Sequence, residues 1–226
     1  MHTDHAAFEI EMGHLVRATH TNTSWDAHRF EVNAHRWLHV GEPGFGVAVA
    51  NAQTYGWDVT RQGKPGGGTY SLVRASLLKG ARYPDPRTDV GQHSFTFTIH
   101  PGATIEDAVA DGYAANLTPR TVTGSAVAPL IGIDGDVAVE GIKLAEDGSG
   151  DVIVRVYEPY GRRATATLAA GFEATSAVET DLLEDELVVG NPQQQVAPTA
   201  ITAPFANGSV GITLRPFQVA TIRLGR

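Results

Sequence analysis

The chain has 226 residues, no cysteine and a formal net charge of −8, with 42% hydrophobic and 19% charged side chains. A chain of this length hides about 70% of its unfolded surface, and without cysteine it has neither a disulfide framework nor a thiolate metal site. The acidic balance argues against nucleic acid or an anionic membrane as partner, because phosphate binding needs a basic face.

No apolar run reaches the ~20 residues of a membrane span, and Met1-His2-Thr3-Asp4-His5 lacks the basic and apolar regions of a secretory signal, so a cytoplasmic location is expected. Glycine (25) and proline (12) are scattered, which fits many short strands and turns better than long helices. All nine histidines and all three tryptophans lie at or before His100, whereas residues 131–226 hold seven basic and thirteen acidic side chains. Two modules are expected: a disordered tail over 1–7, a large β-sandwich over 8–125 and a C-terminal β-sandwich over 126–226.

Phe8–Arg17 opens the first module as a strand. Arg29 to Val40 then alternates, with Phe30, Val32, Ala34, Leu38 and Val40 on the expected buried face and His35, Trp37 and His39 on the other. Phe45–Ala50, Tyr70–Leu78 and His93–His100 are further strands, separated by the turn signals Gly41–Gly44 and Gly63–Gly68. One short helix is predicted near 105–117, capped by Thr104 with Asp107 completing a capping box, and stopped by Pro119. Thr118 to Asp134 is small, proline-interrupted and, apart from Arg120 and Asp134, uncharged, and suits a crossing between modules. Beyond it, strands are predicted over 137–144, 152–157, 164–168, 174–179, 210–214 and 217–224, with Asp147-Gly148 and Asn207-Gly208 as hairpin turns and Gln193–Gln195 as loop.

Chemistry-bearing motifs are sparse. His35 and His39 have H-x-x-x-H spacing, but on one strand they stand about 13 Å apart, too far for one tetrahedral ion. No nucleophile elbow or phosphate-cradling loop is present, and no pair of carboxyls carries a glycosidase signature. No catalytic residue and no metal ligand is therefore assigned. Two segments rise above this background. In His20-Thr21-Asn22-Thr23-Ser24-Trp25-Asp26, Trp25 and Asp26 either form a sugar platform or, more simply, a loop in which Trp25 plugs the end of a sandwich. In Arg82-Tyr83-Pro84-Asp85-Pro86-Arg87, prolines stiffen a charged loop that either reaches a ligand or closes local ion pairs at the surface.

The same segments carry a resemblance. Arg17-Ala18-Thr19-His20-Thr21-Asn22-Thr23-Ser24-Trp25-Asp26, His35-Arg36-Trp37, Tyr55-Gly56-Trp57-Asp58, Arg82-Tyr83-Pro84-Asp85-Pro86 and, near the end, Leu214-Arg215-Pro216-Phe217 resemble the C-terminal half of bacterial α-mannosidases of glycoside hydrolase family 38. The resemblance implies an all-β fold of two antiparallel sandwiches, the larger of galactose-mutarotase-like, super-sandwich type. It implies a piece of a retaining enzyme whose zinc ion and nucleophile belong to a catalytic barrel domain that no stretch of this chain matches. The expected partners are that barrel and a mannose-containing carbohydrate. Lys79 to Asp89 corresponds to a loop set against the barrel's active site, which makes Arg82, Tyr83 and Asp85 candidate substrate contacts beside Trp25 and Asp26. A free-standing carbohydrate-binding module with Trp25, Trp37 or Trp57 as its platform is the alternative.

Overall fold

The computed structural model describes residues 1, 3–191, 194 and 199–226. Its first strands are β1 (His5–Ile10) and β2 (Gly13–Ala18), a hairpin where the apolar run predicts one strand. The reversal falls at Met12, which takes a positive φ of 57°. The tail expected over 1–7 enters the fold: pairing with β2 satisfies its backbone from His5 onward, and Ala6 and Ala7 are buried. His2 lies outside the described residues.

After a short helix α1 (Ser24–Ala27) follow β3 (Val32–Asn33), β4 (Trp37–Glu42), β5 (Phe45–Asn51), β6 (Gly56–Gly63), β7 (Thr69–Ser76), β8 (Phe97–Pro101) and the helix α2 (Ile105–Asn116). The strand expected over 29–40 is thus two strands in two sheets. Between them the backbone leaves the ladders: Ala34 N–H donates to the Tyr55 carbonyl, His35 N–H to the Glu9 carbonyl and Arg36 N–H to the buried Glu9 carboxylate. One antiparallel sheet runs β2-β1-β4-β5-β8 and a second β3-β6-β7. Ala6, Phe8, Leu38 and Val40 of the first meet Trp57 and Val59 of the second in one core.

The other face of the five-stranded sheet is covered too, which corrects the half-exposed placement of Trp37. Its indole is 1% exposed and lies against Gly112 of α2, where a β-carbon would sit 2.6 Å from Cδ1. β4 is a central strand buried on both faces, and strict polar alternation is not required of such a strand. Phe30, expected inside, is 74% exposed because it precedes β3 rather than continuing it. The helix α2 has the predicted capping box, Thr104 with Asp107.

The chain divides into two compact units, Met1–Thr121 and Val122–Arg226. The second unit comprises β9 (Ile131–Gly135), β10 (Ala138–Leu144), β11 (Val152–Tyr157), β12 (Ala164–Ala170), β13 (Ser176–Thr180), β14 (Ile201–Ala206), β15 (Ser209–Leu214) and β16 (Val219–Gly225). Its sheets run β10-β11-β16-β13 and β14-β15-β12-β9, all pairs antiparallel. Val152, Val154 and Val156 with Ala220, Ile222 and Leu224 on one side face Leu168, Val210, Ile212 and Leu214 on the other. Each such aliphatic side chain contributes about 1.5–3 kcal/mol on burial. Asn207 and Gly208 both take positive φ, the geometry of a two-residue hairpin turn. Of the glutamine run expected as loop, Gln193 and Gln195 lie outside the described residues.

Candidate functional site

The segment 20–26 is organised by a second capping box. Thr23 Oγ1 accepts from Asp26 N–H, and the Asp26 carboxylate accepts from Thr23 N–H at 3.3 Å and from its hydroxyl at 2.8 Å. Arg29 pairs with the same carboxylate, and His20 Nδ1 stands 3.4 Å from it, near enough for charge but without hydrogen-bond alignment. The Thr23 hydroxyl and then Arg29 hold the Asp26 carboxyl below the usual aspartate range. It is an acceptor and an anchor.

Trp25, by contrast, turns outward and is 78% exposed, so it does not plug the sandwich. Asp26 instead faces a cleft of about 210 Å³ in the first unit, floored by Phe8, Val32 and Val59 and walled by Arg17, Arg29 and Arg74. The sequence pair Trp25-Asp26 is therefore split between two surfaces. Asp58 and Arg74, which also line the cleft, escape a sequence reading because β6 carries no clean alternation; they are directly opposed across β6 and β7 and form an ion pair.

The second segment is a turn-built loop between β7 and β8. Asp89 accepts the backbone N–H groups of Lys79 (3.2 Å) and Gly80 (2.9 Å), closing the loop's base. Asp85 accepts from Arg87 N–H at 2.9 Å, an Asx turn. His93 bonds the Asp89 carbonyl at 3.0 Å. The Tyr83-Pro84 peptide is cis. Arg82, Tyr83 and Asp85 all point into solvent, Tyr83 with 89% of its surface exposed. The loop's reach thus rests on Asp89, to which the sequence reading assigned no role. No hydrogen bond or ion pair among the described residues joins this loop to Trp25 or Asp26.

His35 and His39 do not share a strand: His35 stands 3.6 Å from Glu11, and His39 bonds the Ala103 carbonyl at 2.8 Å. Among the described residues no group of three or more His, Asp or Glu side chains could hold a metal ion.

Residues 1–87 match the family described as "Glycosyl hydrolases family 38 C-terminal domain", and residues 136–222 match "Glycosyl hydrolases family 38 C-terminal beta sandwich domain". The chain belongs to the C-terminal part of glycoside hydrolase family 38. It is 31% identical over 230 residues to the human protein "Alpha-mannosidase 2C1", 32% over 230 residues to "Alpha-mannosidase G" of Dictyostelium discoideum and 30% over 243 residues to "Alpha-mannosidase" of Saccharomyces cerevisiae. These alignments cover 97%, 96% and 98% of this chain and 20%, 19% and 21% of the relatives. The chain spans about a fifth of the length of the curated relatives it matches. In fold it is similar to an alpha-mannosidase from Enterococcus faecalis V583, with a TM-score of 0.65 at 16% identity, covering 99% of this chain and 24% of that one. The sequence likeness is thus to eukaryotic proteins, whereas the bacterial neighbour shares the fold. What matches is the family's C-terminal part.

Proposed function

We propose that this chain is the accessory C-terminal region of a zinc-dependent, retaining α-mannosidase that hydrolyses terminal α-mannosidic bonds. In this reading it supports the catalytic barrel and lends the loop Lys79–Asp89 to the barrel's active site. The observation that carries the proposal is the pair of family 38 C-terminal domain matches, one in each unit and in order, in a chain spanning about a fifth of its α-mannosidase relatives. The loop's construction supports the role given to it. Asp89 fixes its base while Arg82, Tyr83 and Asp85 stay exposed, so a guanidinium, a phenol and a carboxylate are available to sugar hydroxyls without local competition from the core. In this reading the zinc's ligands belong to the catalytic barrel. The acidic, cysteine-free composition supports a cytoplasmic location.

The purified chain should not turn over an aryl α-mannoside, with or without added zinc, and turnover would overturn the accessory reading. In the full-length enzyme, Asp85→Ala should lower kcat/KM about tenfold or more; an unchanged value would remove the loop from the site. The exposed Trp25 favours a second reading, a carbohydrate-binding module with Trp25 as platform, whereas Trp37 and Trp57, at 1% and 2% exposed, are buried too deeply for that role. Mannose titration followed by tryptophan fluorescence separates the two, since only the second predicts a saturable change that Trp25→Ala abolishes.

A further inference from the structure

We propose that the arginine-walled cleft of the first unit binds a small oxyanion, the phosphate or carboxylate group of a low-molecular-weight ligand. The proposal does not rest on the α-mannosidase reading. The cleft's volume of about 210 Å³ leaves room for a small anion. Three guanidiniums line it, Arg17, Arg29 and Arg74, against two carboxylates, Asp26 and Asp58. Those carboxylates are already engaged, Asp26 by Arg29 and Asp58 by Arg74.

Arg17 is left over. Its Nη1 donates to the Asn33 carbonyl at 3.2 Å and its guanidinium lies over the Phe8 ring at 5.0 Å, so its charge meets a dipole and an aromatic face rather than an anion. Burial and then the nearby charge of Arg29 lower its hold on its proton. Two cations brought together on an apolar floor are stabilised by an anion placed between them. A neutral sugar would leave the Arg17 charge uncompensated.

The test is calorimetric titration of the full chain at low ionic strength with inorganic phosphate, acetate and glucose 6-phosphate, with glucose as the neutral control. At least one oxyanion should bind saturably at a single site, and the one that does identifies the group recognised. Arg17→Gln and Arg74→Gln should each weaken binding about tenfold or more, since each removes one charge from the cleft. Arg74 is 60% exposed, so its replacement keeps the test available if Arg17→Gln does not fold. Arg120→Gln, an exposed arginine outside the cleft, should bind as the parent does. The proposal is overturned if no oxyanion binds saturably, if glucose binds as well as the anions, or if Arg120→Gln weakens binding as much as Arg17→Gln does.

Discussion

Glu158 is fully buried at the end of β11, and its carboxylate accepts four backbone N–H groups: Tyr160 on Oε1 at 2.8 Å, and Gly161 at 2.8 Å, Phe217 at 3.1 Å and Arg162 at 3.2 Å on Oε2. It fastens the turn after β11 to the turn before β16. Glu158→Ala leaves those donors without their carboxylate acceptor at a fully buried position. Each unmet donor costs about 1–3 kcal/mol, and partial hydration keeps the total below the sum, so a loss of about 3–5 kcal/mol is expected. Glu158→Gln keeps one acceptor oxygen. Turned to keep the three Oε2 bonds, it sets its amide against Tyr160 N–H alone and should cost about 1–3 kcal/mol. Urea unfolding followed by circular dichroism and by tryptophan fluorescence checks this. All three tryptophans are in the first unit, so the fluorescence midpoint should hold while the second unit's transition in Glu158→Ala falls by about 2 M urea. A loss under about 1 kcal/mol for Glu158→Ala, or equal losses for the two variants, would refute the reasoning.

Gly112→Ala should destabilise the first unit by about 1–3 kcal/mol, read as a lower thermal midpoint and a red-shifted Trp37 emission, because the 2.6 Å contact with Trp37 outweighs alanine's better helix propensity. Thr23→Ala removes the α1 cap and should cost about 1 kcal/mol while lowering the fluorescence anisotropy of the exposed Trp25. Asp147, bonded by Ser149 and then by Arg223, is lowered to about 2 from 3.8. Because the folded value is depressed, its contribution to stability is complete above pH 3.8 and is lost as pH falls towards 2. Arg223→Ala should move Asp147 upward in a carboxyl NMR titration and flatten the loss of stability over that acid range.

Local rules carried much of the fold. The run Val152–Tyr157, the Asn207-Gly208 turn and the Thr104/Asp107 box all lie where period, turn chemistry and capping put them, because each is decided within a few residues. The same capping logic holds at Thr23 and Asp26, where Thr-x-x-Asp closes a box within four residues. Strand breaks were not legible. β1 and β2 part at Met12, and β3 and β4 at Ala34–Arg36, where Glu9, distant in sequence, takes the backbone and side chain of Arg36.

The candidate site divides the same way. That Lys79–Asp89 is a stiff exposed loop follows from its prolines and charges; that Asp89 closes it depends on a contact ten residues long-range from Lys79. Sequence by itself determined two β-rich modules, an acidic and cysteine-free composition, and a resemblance to the C-terminal part of glycoside hydrolase family 38. Only the tertiary structure decided that Trp37 is buried on the helix side, that Trp25 and Asp26 face different ways, and that three arginines separated by up to 57 positions from Arg17 to Arg74 share one cleft. Periodicity and turn propensity act between neighbours, whereas burial on a second face and the convergence of charges depend on which strands pair, and pairing is settled by the core as a whole.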